Sequence, residues 1–396
     1  MDVYGQLGVR RIINAKGPST RVSGNIMDAR VAEAMVAASR ECVDMTALQA
    51  RAAEVIAEVT GAESGIVTSG AAAGLLLGTA ACLTGLDPSR MNRLPDTAGM
   101  ADEVVMARSQ RNQYDHAIRA TGARLVEVGL PDRLAGPGVR DAEPWEYAAA
   151  VTDRTAAIFY LAHRASRPAL EDVARVARDA GVPLIVDAAS QVPPRENLRN
   201  FIATGADLVV FSGGKAIGGP QASGILCGRR DLVAAAALQM LDMDIPFEHW
   251  HPPAGFIDRN SIPGLPHHGI GRGCKAGKEE IVGLLTALRL FASDEGDARL
   301  ARWRQMAAEL LDALDGLPGA ELALEEDGYR PGIAGVRIAF PRPATAVDMA
   351  TALLAGDPAV HCDSSRDTEG VLRLSPVCMK PDDIPLLADR IRAALG

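Results

Sequence analysis

The sequence predicts an α/β protein with a mainly parallel sheet in its large domain and a smaller α+β C-terminal domain. Three observations predict it. From residue 63 to about 241, short and uniformly apolar runs alternate with helical segments, as in right-handed βαβ units whose strands are covered on both faces. The chain has 396 residues, too many for one small core and suited to two. Beyond residue 278 the pattern loosens into helices with only two strand-like runs. The expected bounds are residues 1–45 for an N-terminal arm and helix, 46–277 for the large domain and 278–396 for the small one.

The elements follow in order. Residues 1–27 read as irregular, an arm in which Arg11-Ile-Ile-Asn14 leads into Ala15-Lys-Gly-Pro-Ser-Thr-Arg21. Asp28 caps a helix to about Ser39, and a second runs from about Thr46 to Thr60, stopped by Gly61. A strand at Ser64–Thr68 enters the small-residue turn Ser69-Gly70-Ala71 and a helix to Thr84. Such a turn is an anion cup, because helix N-terminal N–H groups point outward and the dipole favours negative charge. Close helix packing would select the same small residues. Further strands are expected at Glu103–Ala107, Arg124–Val128, Thr155–Tyr160, Pro183–Asp187, Asp207–Phe211 and Gly224–Cys227. Helices are expected near 114–121, 144–151, 170–180, 197–204 and 231–241. Asp244–Gly277, rich in Pro, Gly and His, is a long irregular stretch of the kind that serves a site or an interface. Helices over 278–292 and 295–317 precede strand-like runs at 335–340 and 370–375.

Composition narrows the function. Net charge is −9 and the pI about 5.4, which argues against broad nucleic-acid or anionic-membrane binding. No apolar run approaches the ~20 residues of a membrane span, and Met1-Asp-Val-Tyr-Gly5 has no signal-peptide character. Six cysteines without paired spacing read as reduced thiols, neither disulfides nor a metal site. The expectation is a cytoplasmic protein.

The chemistry centres on Phe211-Ser-Gly-Gly-Lys-Ala-Ile-Gly-Gly-Pro-Gln-Ala-Ser-Gly224, which encloses one lysine in glycines. Upstream, Pro183-Leu-Ile-Val-Asp187 is an apolar run ending in aspartate. The pairing reads as a lysine, Lys215, that forms a Schiff base with pyridoxal phosphate (PLP), with Asp187 on the pyridinium nitrogen. Ser69, Gly70, Ala71 and Ser212 would hold the phosphate. This is the layout of fold type I PLP enzymes, related to aspartate aminotransferase, whose cofactor sits at the carboxyl ends of parallel strands.

The lysine segment resembles that of selenocysteine synthase (L-seryl-tRNA selenium transferase), where the pattern is close to F-S-G-D-K-x-x-G-G-P-Q-A-G. Thr60-Gly-Ala-Glu-Ser64 and Leu7-Gly-Val-Arg-Arg-Ile-Ile-Asn14 are also similar. Gly214 stands where the transferase has aspartate, and the tRNA-binding N-terminal domain has no counterpart. The chain is more similar to the shorter subgroup typified by D-glucosaminate-6-phosphate ammonia-lyase. That resemblance implies αβ-elimination on a small hydroxylated amino acid or amino-sugar acid, giving a 2-keto acid and ammonia, by a homodimer or higher oligomer. The alternatives are a racemase or aldolase, a seryl-tRNA selenium transferase, and a non-catalytic PLP-binding protein.

Other candidates rank below these. Arg373 suits a substrate carboxylate or, equally, an ion pair. Arg272 and Lys275 could reach a phosphate from a neighbouring subunit or form a solvated loop. One of Gln110, Tyr114 and His116 is expected to stack on the ring. His163 is a substrate ligand or a satisfied loop histidine, and Asn14 and Arg21 are weaker substrate candidates on the arm.

Overall fold

The computed structural model describes residues 3–130, 141–328 and 332–395. Its strands are β1 (Ile12–Ala15), β2 (Ser64–Thr68), β3 (Glu103–Ala107), β4 (Arg124–Val128), β5 (Thr155–Leu161), β6 (Leu184–Asp187), β7 (Leu208–Ser212), β8 (Gly224–Gly228), β9 (Glu321–Glu326), β10 (Ala334–Ala339), β11 (Ala359–Arg366) and β12 (Val371–Leu374). They form a seven-stranded sheet ordered β2-β8-β7-β6-β5-β3-β4 and a five-stranded sheet ordered β1-β11-β12-β10-β9. The chain divides into two compact units: residues 28–192 with 196–289, and residues 1–27 with 193–195 and 290–396.

In the larger unit β3 to β7 pair in parallel, and β8 runs antiparallel between β7 and β2. Val104, Val105, Ile158, Ile185, Val186, Val209, Val210 and Leu226 are wholly buried, as strands covered on both faces must be. Residues 71–84 form the small-residue helix that covers them. A Cβ on Gly74 would stand 3.0 Å from Val210, and one on Gly78 3.3 Å from Leu208 and Leu226. Close packing therefore explains the body of this helix, while its first turn remains available to a ligand. The open edge at β2 is closed by Gln49, whose buried amide exchanges two hydrogen bonds with the Val67 backbone, at 2.8 and 3.0 Å. A side chain thus supplies the partners an edge strand otherwise lacks.

The smaller unit corrects one expectation. Residues 12–15 are not irregular; they pair in parallel with Ala359–Cys362. An apolar pair of isoleucines four residues from a Gly-Pro turn has too little local pattern to reveal a partner some 350 residues away, and β11 and β9 were equally hidden. Helices Asp294–Ala313, Pro343–Ala355 and Asp383–Ala393 complete this unit. Residues 244–277 hold only short 3-10 turns, as their composition suggested. Among the described residues no helix is long and apolar enough to cross a membrane.

Candidate active site

Because β2, β3, β5, β6 and β7 run in one direction, their carboxyl ends share one edge of the large sheet, where β8 begins. The candidates fall along that edge in the order of the strands. Thr68 ends β2, Ala107 ends β3, Leu161 ends β5, Asp187 ends β6 and Ser212 ends β7.

Asp187 is 6% exposed and accepts a hydrogen bond from the Ala189 N–H at 3.0 Å. Burial raises its pKa above the ordinary carboxylate value, opposed by that hydrogen bond and by the charge of Lys215. Lys215 lies in the turn after β7, and its Nζ donates to Ser190 Oγ at 2.5 Å. Ser190 was missed in the sequence; its only signal was a hydroxyl three residues beyond the strand-end aspartate. The lysine loop is folded back on the segment before β8. Gly213 N–H donates to the Ser223 carbonyl and Gly219 N–H to the Gly213 carbonyl, each at 2.9 Å. A Cβ on Gly214 would lie 2.6 Å from Gln221 Cα and 2.7 Å from its carbonyl oxygen. The position that is aspartate in the transferase pattern accordingly has no room for a side chain here.

At the other end of the row, Gly70 caps the helix over 71–84 with φ 123° and no side-chain cap. Thr68 Oγ1 pins the turn by donating to the Gly70 carbonyl at 2.8 Å. Ser69 N–H donates to the Cys274 carbonyl at 3.1 Å, so the loop carrying Arg272 and Lys275 lies against the turn of its own chain. Arg272 is committed to Asp242 at 2.6 Å, and Lys275 is exposed.

Several other candidates have structural work instead. Gln110, 2% exposed, accepts from Leu161 N–H at 2.9 Å and donates to the Arg167 carbonyl at 3.4 Å. It ties the end of β3 to that of β5 and has no free face for stacking. Tyr114 is 61% exposed and His116 is also exposed; neither is packed as a ring cover. His163 is half-buried beyond β5, and its Nδ1 accepts from Ala165 N–H at 3.1 Å, which places the proton of the neutral ring on Nε2.

In the smaller unit, Arg373 pairs with buried Asp327 at 3.1 Å and donates to the carbonyls of Glu325 and Ile333. The ion pair, not the substrate carboxylate, claims this guanidinium. Asn14 is likewise spent: its amide donates to the carbonyls of Gly17, Val22 and Gly24 and accepts from the N–H groups of Lys16 and Gly17. Buried polar groups must be paired, and both pair within their own unit. Arg21 stays exposed, its Nη2 3.4 Å from His361 Nδ1.

The edge of the large sheet has the donor set that PLP requires. A deeply buried carboxylate, costly alone, suits a protonated ring nitrogen. A lysine within its field can carry the aldehyde carbon. A Cβ at Gly70 would meet nothing within 4 Å, so nothing in the chain closes over this residue at the helix N-terminus, where backbone N–H groups favour an anion.

Sheet order, strand-end aspartate and following lysine define an aspartate aminotransferase-like enzyme of fold type I, with PLP as its cofactor. The L-seryl-tRNA selenium transferase family (SelA) matches residues 114–243. Over 99% of its length the chain is 32% identical to a 5'-C-glycyluridine monooxygenase-decarboxylase from Streptomyces sp, covering 92% of that protein. It is also 32% identical to D-glucosaminate-6-phosphate ammonia lyase from Salmonella typhimurium, across 99% of this chain and 97% of the relative. A solved structure of D-glucosaminate-6-phosphate ammonia-lyase superposes with a TM-score of 0.80 at 29% identity, covering 100% of this chain and 98% of the other. The chain belongs to the selenium transferase-like family of PLP enzymes that includes these two full-length relatives.

Proposed function

We propose that the enzyme is a lyase that performs αβ-elimination on a small hydroxylated amino acid or amino-sugar acid, releasing a 2-keto acid and ammonia. The observation that carries this reading is the similarity, over nearly the whole of both chains and in structure, to D-glucosaminate-6-phosphate ammonia lyase. Bound PLP supplies an electron sink, so that a Cα–H bond can break with its electron pair delocalised.

The chain's own groups do the rest. Lys215 Nζ holds the cofactor at rest and, once a substrate amine replaces it, takes the Cα proton and delivers a proton to the departing β-hydroxyl, which leaves as water. The enamine released then takes up water and yields keto acid and ammonia, so water lost and water gained balance. Ser190 Oγ accepts a hydrogen bond from the Lys215 amine and keeps it near the row of strand ends. Asp187 keeps a proton on the ring nitrogen, and burial beside that cation makes the pairing strong. The N–H groups of Gly70 and Ala71 and the Ser212 hydroxyl would hold the phosphate, the Ser69 N–H being bonded to the Cys274 carbonyl. His163 Nε2–H stands beyond β5 as a donor for a substrate oxygen.

Equal identity to a monooxygenase-decarboxylase favours a second reading, oxidative loss of the α-carboxylate. The two separate in one experiment. D- and L-hydroxy amino acids and amino-sugar acids, with and without a terminal phosphate, are incubated with holoenzyme in air and under argon. Keto acid and ammonia in equal amounts without oxygen support elimination; carbon dioxide formed only in air replaces it with the second reading.

The assembly we propose is a homodimer or larger. Val3, Leu7 and Val9 in the smaller unit, and Val36 and Val43 in the larger, are each more than half exposed, apolar side chains of the kind a second copy would cover. Sedimentation at micromolar concentration tests it; a monomer there would refute it.

A further inference from the structure

The smaller unit has a cavity of its own, about 470 Å3 in volume. It is framed by the segment leading into β1, the turn at residues 21–26, His361 on β11 and residues 378–383. Arg10, Arg11, Arg21 and Lys380 line it, opposed by Asp383 alone. With Arg11, which has a partner of its own, set aside, three positive charges against one negative leave two in excess, inside a chain whose total is −9. Like charges gathered in a concave wall repel one another and focus a positive field into the space between them.

The frame under these charges is fixed. β1 is hydrogen-bonded in register to β11, and Ser375 N–H donates to the Ala15 carbonyl at 2.7 Å. Asn14 ties down the loop that carries Arg21 through three carbonyls. Asp383 is partly occupied by the Lys380 N–H, which it accepts at 2.8 Å. His361 adds a donor without adding charge. Burial, and then Arg21 and Lys16, hold its pKa below the ordinary value, and its Nδ1 faces the Arg21 guanidinium, so the neutral ring offers Nε2–H.

We propose that this cavity binds a small organic phosphate, a phosphomonoester whose dianion is held by the Arg10, Arg21 and Lys380 side chains. Two excess positive charges match a dianion better than a single carboxylate, and the guanidinium fork fits phosphate oxygens in pairs. The volume exceeds what inorganic phosphate fills and falls in the range of roughly 300–1,000 Å3 typical of small-molecule sites. Val9, Val22 and Ile26 in the same wall give the carbon portion an apolar surface. The site is independent of the elimination reading, because it is defined by binding and not by turnover.

The test uses holoenzyme, so that the phosphate position of PLP is already filled. Glycerol 3-phosphate, inorganic phosphate and malonate are titrated calorimetrically at low ionic strength. Saturable binding of glycerol 3-phosphate is expected, weakened at least tenfold in an Arg10→Gln/Lys380→Gln variant and strengthened in Asp383→Asn. No heat with either phosphate, or wild-type affinity in the double variant, overturns the proposal. Malonate binding as tightly as glycerol 3-phosphate overturns the assignment to phosphate. Should the double variant fail to fold, Asp383→Asn decides: unchanged affinity there counts against the site.

Discussion

The two units treat their polar residues in opposite ways. Along the edge of the seven-stranded sheet, Asp187 and Lys215 are held where burial strains the carboxylate and a hydroxyl steadies the amine. In the smaller unit, Arg373 and Asn14 look just as purposeful in the sequence, yet every assigned partner is protein. Burial raises the pKa of Asp187, whereas Arg373 and Asn14 bond to groups of their own unit, with only the buried Arg373 Nε left without a hydrogen-bond partner among the described residues. Chemical type does not separate the two; the partner inventory does.

The contrast can be broken at four points. Lys215→Ala should lower turnover by about 10³-fold or more and abolish the adduct that borohydride fixes in the wild type. A peptide map showing a reduced cofactor on another lysine would move the site. Arg373→Ala should cost about 3 kcal/mol of stability, because it breaks the buried ion pair with Asp327, while KM stays near wild type in whatever fraction folds. A tenfold rise in KM with full stability would make Arg373 a substrate residue after all.

Asp187→Asn should reduce kcat by about 10²-fold and carries a pH signature in the cofactor-free protein. The folded pKa of Asp187 is raised, so this group costs the fold nothing at pH below the unfolded value of ~3.9 and costs most once pH passes its folded pKa. The variant should therefore melt higher than wild-type apoprotein at pH 7–8, the gap closing below about pH 4. A gap that is independent of pH would mean the carboxylate is not strained. Asn14→Ala should destabilise by about 2 kcal/mol through its lost hydrogen bonds, with kcat/KM unchanged in the folded protein; chemical denaturation and steady-state assays read the two separately.

Much of the large unit was legible because its signals are local. Uniform apolar runs, Gly61 after a helix and the turn at Ser69–Ala71 each announce themselves within a few residues. The Asp187 and Lys215 pairing was legible because Asp187 ends β6 and Lys215 lies in the turn that follows β7, and neighbouring parallel strands bring such positions together. Ser190 was hidden, since a serine in a loop has no pattern until the lysine is seen beside it. Gln110 misled for the opposite reason: it follows a strand end, yet its two backbone bonds turn it into a strut. β1 depends on β11, some 350 residues along the chain, a partner that no window of sequence contains, whereas β9 pairs with the neighbouring β10 and was hidden by its mixed charged and apolar residues.

The tight contact at Gly214 has a consequence for descent. Two of the four glycine codons lie a single base from an aspartate codon, so the aspartate of the transferase pattern is within reach of one or two base changes. With Gln221 Cα only 2.6 Å from where its Cβ would stand, that step is closed unless the return segment shifts first. Passage between the two subgroups at this position thus requires changes in a set order, and the lysine loop and its return segment are inherited as one unit.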